Sequence, residues 1–247
     1  MTNPMTAKAI RSLTDKKYRE NTKKFLVEGE KNVLELIKSD IKIDSVFATR
    51  EFQKKHKMLL EEKGVRIQNA EASELVSYGT LEHNNDALAI AFQKKNPFPD
   101  TNEGITLVVD DIRDPGNLGT LIRIADWYGV KNIVCSDTSV DWYNPKVINA
   151  TMGSFTRVNC FYVDLPNFLE KQKAPKIGTF LKGKSSHTFS YPKNGILILG
   201  SESHGISKAV EKLVTEKVTI PAFGGAESLN IAIAGAVMLD RWMGSNN

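Results

Sequence analysis

The sequence predicts an α/β protein in two parts: a small α/β domain upstream, then a mostly parallel sheet covered by helices. Three observations carry this. Short apolar stretches alternate with helical segments along the whole chain. The downstream strands, such as ITLVVDDI (105–112) and GILILG (195–200), are apolar throughout rather than alternating, as in strands buried on both faces. Between the parts, QKKNPFPDTNEG at about 93–104 combines Pro, Gly, Asn and charge with little to bury, and reads as a linker. Domains are therefore expected over 1–96 and 105–247.

In the first part, FLVEGEKNVLELIKS (25–39) pairs a strand with a helix that carries Val33, Leu34 and Ile37 at helical spacing. IDSVFAT (strand), a charged helix around 51–63, VRIQNA (strand), ASELVSYG (helix) and LAIAFQ (strand) follow. In the second part, NLGTLIRIADWYG (117–129) reads as a helix, NIVCS (132–136) as a strand, PKVINATMG (145–153) as a helix and RVNCFYV (157–163) as a strand. PNFLEKQ opens a helix with Pro at its start. KIGTF and GILILG are further strands; a helix then runs to about Val214, followed by KVTIP, a Gly-rich loop and a last helix from Ser228 to Trp242. That helix is apolar nearly all round and must be covered, and with Trp242 at its end it is expected to form a dimer contact.

The 247 residues are 41% hydrophobic and 25% charged, the proportions of an ordinary soluble protein. No apolar run reaches membrane-spanning length, and the basic start has no signal-like apolar core, so a cytoplasmic protein is expected. Two cysteines (Cys135, Cys160) and four scattered histidines offer neither a disulfide framework nor a metal site. Charge is uneven: residues 1–96 hold 18 Lys/Arg against 14 Asp/Glu, and 97–247 hold the remaining 15 of each. Residues 1–24 carry Lys8, Arg11, Lys16, Lys17, Arg19, Lys23 and Lys24 against Asp15 and Glu20. Such a stretch suits a polyanion such as nucleic acid, and equally a solvated, partly disordered terminus.

Polar and glycine residues cluster where strands end, the place where open α/β sheets bind ligands. The stretches are DPGNLGTLIRIAD (114–126), LGSESHG (199–205) and IPAFGGAESLN (220–230). A GxGxxG dinucleotide fingerprint, a P-loop and a GxSxG nucleophile elbow are all absent from the sequence, which disfavours hydride transfer, phosphoryl transfer and hydrolysis.

In order, the three loops read N-x-G-x-x-x-R-x-A (Asn117, Gly119, Arg123, Ala125), L-G-x-E-x-x-G (Leu199, Gly200, Glu202, Gly205) and I-P-x-x-G-x-x-x-S-L-N (Ile220, Pro221, Gly224, Ser228, Leu229, Asn230). Together they resemble the SpoU (TrmH-like) branch of the SPOUT RNA methyltransferases, over about residues 105–243. Upstream, the chain looks like the substrate-binding domain often fused ahead of such enzymes, related in fold to an RNA-binding ribosomal protein. The resemblance implies methyl transfer from S-adenosyl-L-methionine to a ribose 2′-OH of RNA, rRNA first and tRNA second. It also implies a sheet knotted as a trefoil, an exception to the rule against knots, and a homodimer with no metal.

Residue by residue, it makes Arg123, Asn117, Glu202, Ser228 and Asn230 the catalytic group. Leu199, Gly200, Ile220, Leu229 and Ser228 become the cofactor-binding group. Each has a plainer reading: a surface arginine for Arg123, a helix cap for Asn117, Ser228 and Asn230, and a carboxylate at a helix start for Glu202. Because guanidinium is a poor proton acceptor, Arg123 is expected to stabilise a developing alkoxide rather than act as the base. Asn117 is expected to orient it or to contact RNA, Glu202 to fix the loop geometry and either Arg123 or the ribose, and Ser154 in MGSF to line the pocket. Ala222, Trp127 and Ala232 depart from residues frequent in the family, and none removes a catalytic group. A non-catalytic RNA-binding or ribosome assembly factor, and a nucleotide-dependent oxidoreductase, are the rivals from other classes.

Overall fold

The computed structural model describes residues 4–95, 99, 101 and 103–245, with the side chains of 4–6 excepted, so the expected linker lies partly outside the described residues. Contacts divide the chain into two compact units, Met1–Lys95 with Asp141–Thr156 and Asn96–Val140 with Arg157–Asn247. Residues 141–156, expected to belong to the downstream domain, thus pack with the first unit.

The first unit opens with helices α1 (Pro4–Ser12) and α2 (Lys16–Thr22), so the basic stretch is folded from α1 onward. Ile10 and Leu13 anchor it in the core, and Asp15 caps α2 by accepting from the Tyr18 amide at 2.9 Å. Its charges are only partly available to a partner. Arg19 is 2% exposed; its Nε and Nη2 donate to Asp141 Oδ2 at 3.0 and 2.5 Å, and its Nη1 to the Leu13 carbonyl. Arg11 donates to the Ser77 carbonyl, and Lys24 pairs with Asp44.

Strand β1 (Lys24–Glu28), helix α3 (Glu30–Lys38), β2 (Ile43–Ala48), α4 (Arg50–Lys55), α5 (Lys57–Glu62), β3 (Ile67–Asn69), α6 (Ala72–Tyr78) and β4 (Ala87–Phe92) complete a four-stranded sheet of order β1-β4-β2-β3. The charged helix expected around 51–63 is two short ones. They break at His56, which leaves helical dihedrals and places Nε2 2.6 Å from Glu30 Oε1. The far segment returns here: Phe25 packs on Tyr143 and Phe155, with ring centroids 4.7 and 5.8 Å away.

The second unit holds β5 (Ile105–Asp110), α7 (Pro115–Trp127), β6 (Asn132–Ser136), β7 (Asn159–Val163), α9 (Leu165–Glu170), β8 (Lys176–Ser185), β9 (Gly195–Gly200), α10 (Lys208–Glu211), β10 (Glu216–Thr219) and α11 (Ile231–Gly244); α8 (Pro145–Ala150) belongs to the first unit. Its six strands pair in parallel in the order β10-β8-β9-β5-β6-β7. All of β5 is buried, as its unbroken apolar run requires. From β5 the chain proceeds one way through β6 and β7, then restarts at β8 on the other side. The order therefore reverses between β5 and β9, whose last residues Asp110 and Gly200 lie side by side.

Helices α7 and α11 run parallel. Asn117 meets Asn230 at their first turns, and Tyr128 donates to Asp240 at their far ends. Between these, Gly235 lets the helices close: a Cβ there would lie 2.7 Å from Leu121 Cδ2 and 3.0 Å from Leu199 Cδ1. The last helix begins three residues later than its sequence suggested, because Asn230 rather than Ser228 is its cap. Trp242, expected at a dimer contact, is fully buried, and its Nε1 donates to the Pro192 carbonyl at 2.8 Å. The helix expected up to Val214 stops at Glu211.

Candidate active site

The site forms at the carboxyl ends of β5 and β9, where the strand order reverses, as ligand sites do in open α/β sheets. After β5, Asp114 is the N-cap of α7: its Oδ1 accepts from the Asn117 amide at 2.7 Å, with Pro115 following in the first turn. Asn117 is therefore not the cap the sequence allowed, and its side chain is free for other bonds. Its Nδ2 donates to Glu202 Oε1 at 2.5 Å, and its Oδ1 accepts from Asn230 Nδ2 at 2.9 Å. Asn230 Oδ1 in turn accepts from the Ala232 and Ile233 amides at 2.9 and 3.4 Å, capping α11. One continuous set of hydrogen bonds thus joins the three sequence motifs.

The loops that bring these groups together need special backbone. Gly200 ends β9 against the turn that follows: a Cβ would sit 2.1 Å from the Gly205 carbonyl carbon and the Ile206 nitrogen. Gly205, at φ +66°, closes that turn through mutual backbone bonds with Ser201. Glu202 lies in this turn, exposed, rather than at a helix start.

Arg123 projects from α7 into solvent, with no hydrogen bond or ion pair among the described residues. Asn117 and Glu202 bond each other, and neither bonds Arg123 as the sequence suggested. Ser228 and Leu229 lie in the exposed loop before α11, Leu229 at 48% exposure. Leu199 is buried, while Gly200 and Ile220 are half-buried. Ser154 belongs to the first unit.

Two aspartates escaped the sequence reading. Asp110, buried at the end of β5, accepts from the Ser207 amide at 2.8 Å and ties the two strand-end loops together. Asp111 adopts φ 59°. Burial acts to raise its carboxyl, but hydrogen bonds from Thr138 and Arg113 outweigh this and hold it below the usual carboxylate range. The Asp-before-Pro signature of a helix start marks Asp114; no comparable signal marks Asp110.

The residues around the strand ends suit an extended ligand with one apolar end. Leu229 and Ile220 supply uncovered apolar surface, and the glycines at 200 and 205 expose backbone. Ser186, whose amide donates to the Thr219 carbonyl just before Ile220, has a buried hydroxyl without a partner. That is a polar atom available to a cofactor. Among the described residues no group of three or more His, Cys, Asp or Glu could hold a metal ion.

These features define a SPOUT-type methyltransferase fold and site. The SpoU rRNA Methylase family matches residues 104–240, and the MRM3-like substrate binding domain matches 4–83. The chain belongs to the SpoU rRNA methylase family. It is 28% identical over 233 residues to the Bacillus subtilis 23S rRNA (guanosine(2553)-2′-O)-methyltransferase RlmP, covering 93% of this chain and 92% of the relative. It is 25% identical to the Neisseria meningitidis 23S rRNA (guanosine-2′-O-)-methyltransferase RlmB, covering 87% and 88%. A TrmH-family protein from Porphyromonas gingivalis superposes with TM-score 0.85 at 31% identity, covering 98% of both chains. An AdoMet-bound rRNA methyltransferase from Sinorhizobium meliloti superposes with TM-score 0.85 at 27% identity, covering 98% of this chain and 95% of that one.

Proposed function

We propose that the chain is an S-adenosyl-L-methionine-dependent methyltransferase acting on a ribose 2′-OH of rRNA. The observation that carries this is the Asn230–Asn117–Glu202 set of bonds, which gathers all three motif loops at the carboxyl ends of the central strands. When bound, the cofactor supplies an electrophilic methyl carbon on a sulfonium; the protein contributes alignment and electrostatics. Leu199, Gly200, Ile220, Ser228 and Leu229 would hold it. Arg123, a cation with no carboxylate partner among the described residues, stabilises the alkoxide that develops as the 2′-OH gives its proton to solvent water. Asn117 orients Glu202 by holding Oε1, which leaves Oε2 for the ribose or for the guanidinium in the loaded complex. Asn230, through its cap and its bond to Asn117, fixes the end of the third loop, and exposed Ser228 is left for the ligands.

The first unit is the RNA-binding domain, with Lys and Arg contacts to phosphate making affinity salt-sensitive. The protein works as a homodimer: Trp127 on α7 and Ile233 on α11, at 84% and 52% exposure, are the apolar groups a second copy would cover. The C-terminal segment is threaded as a trefoil knot, consistent with β9 lying between β8 and β5 and α11 packing on α7 and β9. The enzyme is cytoplasmic and metal-free; no described helix is long and apolar enough to cross a membrane.

The experiment is transfer from tritium-labelled S-adenosylmethionine to total RNA of a strain lacking the gene. Label at a linkage resistant to alkali in rRNA is expected. Label in tRNA instead would overturn the rRNA assignment, and cofactor binding without label in either RNA would favour a non-catalytic assembly factor.

A further inference from the structure

We propose that the outer edge of the six-stranded sheet, from Phe180 to Phe189 on and after β8 and at Phe223 after β10, binds an unpaired RNA strand, with Phe223 the stacking platform for a base beside the target ribose. This rests on the reading of the chain as an RNA methyltransferase and specifies how that site holds its substrate.

Phe223 is 90% exposed, in the same loop as Ser228 and Asn230. A lone exposed ring is common on protein surfaces; what sets Phe223 apart is its place in the motif loop and its contact with His187. It is not loose: its ring stacks on His187 at 6.3 Å between centroids and 26° between planes. The two segments are also joined by one backbone and one side-chain bond: Ser186 N donates to the Thr219 carbonyl, and Thr219 Oγ1 to the Leu181 carbonyl.

Along the strand that leads to this pair, two lysines lie between two half-buried phenylalanines. Residues 180–189 read FLKGKSSHTF, with Lys182 and Lys184 and no acid. Lys217 lies 4.8 Å over the Phe180 ring and Lys184 5.8 Å over Phe189. Leu181 is 76% exposed, because the pairing of β8 with β10 jumps from Gly178 to Lys184 and turns the intervening residues away from the ladder. Glu216 neutralises Lys184, and Glu211 neutralises Lys217, so Lys182 is the cation without a partner among the described residues.

One exposed ring, Phe223, next to a lysine-bearing segment matches the chemistry of single-stranded nucleic acid, whose bases stack while its phosphates seek cations; Phe180 and Phe189 are half-buried beneath Lys217 and Lys184. A duplex, with its bases already stacked, gains nothing from Phe223. The methyl acceptor is a ribose whose 2′-OH must reach the strand-end site, and a stacked neighbouring base fixes that ribose without reading its sequence.

The test uses the full-length protein with labelled single-stranded decaadenylate and the corresponding duplex. Phe223→Ala should weaken decaadenylate binding about tenfold and leave duplex binding unchanged, while Phe223→Trp restores affinity with quenched indole emission on binding. Lys182→Ala should reduce the slope of log affinity against log salt by about 0.7, one phosphate contact. S-adenosylmethionine binding by calorimetry should match the native protein in all three variants, which also reports that each is folded. Native decaadenylate affinity in Phe223→Ala overturns the platform. So does conversion of a dimer to monomer in sedimentation, which would make Phe223 a contact between copies. Absence of methyl transfer by the native protein, with these binding differences intact, would instead sink the enzymatic reading and leave the RNA surface standing.

Discussion

Asn230 Nδ2 donates to Asn117 Oδ1 at 2.9 Å, and this bond couples the first turn of α11 to the first turn of α7. Each asparagine uses both ends of its amide. Asn230 caps its helix with the oxygen and holds Asn117 with the nitrogen; Asn117 accepts that bond and passes its own donor to Glu202. Neither aspartate nor alanine at 230 can do both.

Asn230→Asp keeps an acceptor for the cap and removes the donor. Stability should stay close to native while methyl transfer falls about 10²-fold, the scale of a misplaced catalytic group. Asn230→Ala should cost a further ~1 kcal/mol of stability through the lost cap. Urea unfolding and single-turnover transfer separate the two effects. Equal activity in native protein and Asn230→Asp would show that the bond to Asn117 is incidental.

The close approach of the two helices makes Gly235 a second test. In an exposed helix Gly→Ala stabilises by about 1 kcal/mol. At 235 the new Cβ would press on Leu121 and Leu199, at 2.7 and 3.0 Å, and overpacking costs about 1–3 kcal/mol. The expected outcome of Gly235→Ala is a net loss of about 1 kcal/mol, with Asn117 and Asn230 moved apart and transfer reduced. A rise in thermal midpoint would mean that the helices have room to spare.

How much of this was legible depended on distance along the chain. Strands such as Asn132–Ser136 and Ile105–Asp110 could be read directly, because burial on both faces leaves an unbroken apolar run. The site residues were legible as three spaced motifs, yet which asparagine caps and which bridges was not, since Asp114 takes the cap that Asn117 could have filled. Arg19 and Asp141 were illegible altogether: they are 122 positions apart, and nothing local marks either as buried. Trp242 looked like an interface residue because the helix carries apolar side chains on every side; only the fold shows its indole reaching Pro192 inside the unit.

That buried pair supplies a test on the first unit. Arg19 is 2% exposed and Asp141 18%, and removing one member of a buried ion pair strands the other charge. Arg19→Ala should therefore cost about 3–5 kcal/mol, far above the loss of an exposed pair such as Lys16 with Glu20, whose side chains are 60% and 57% exposed. Arg19→Met should cost less than Arg19→Ala, because it keeps the volume that α2 buries, and less still when combined with Asp141→Asn. Urea midpoints of the three variants decide this. A small loss in Arg19→Ala would mean that residues 141–156 are held chiefly by the Phe25 contacts and by the Lys94 bonds to Tyr143 and Thr156.

Alkaline pH should reveal the packing behind α11. Tyr191 is buried against Trp242, with ring centroids 5.4 Å apart, and against the edge of Phe189 at 4.9 Å. Burial pushes its phenol from the usual 10.0 up to about 12. The folded protein therefore keeps the proton where the unfolded chain has released it. The stability this contributes is complete below pH 10.0, where both states are protonated, and is lost as pH rises through about 12. Unfolding free energy should fall across that window, and Tyr191→Phe, which removes the ionisation but keeps the ring, should flatten the fall. Half-buried Tyr128, whose phenol burial and Asp240 also raise, adds a smaller slope that the double variant with Tyr128→Phe subtracts. If Tyr191→Phe loses stability over this range as steeply as native protein, the phenol titrates in water and the packing of the segment before β9 against Trp242 is looser than its contacts imply.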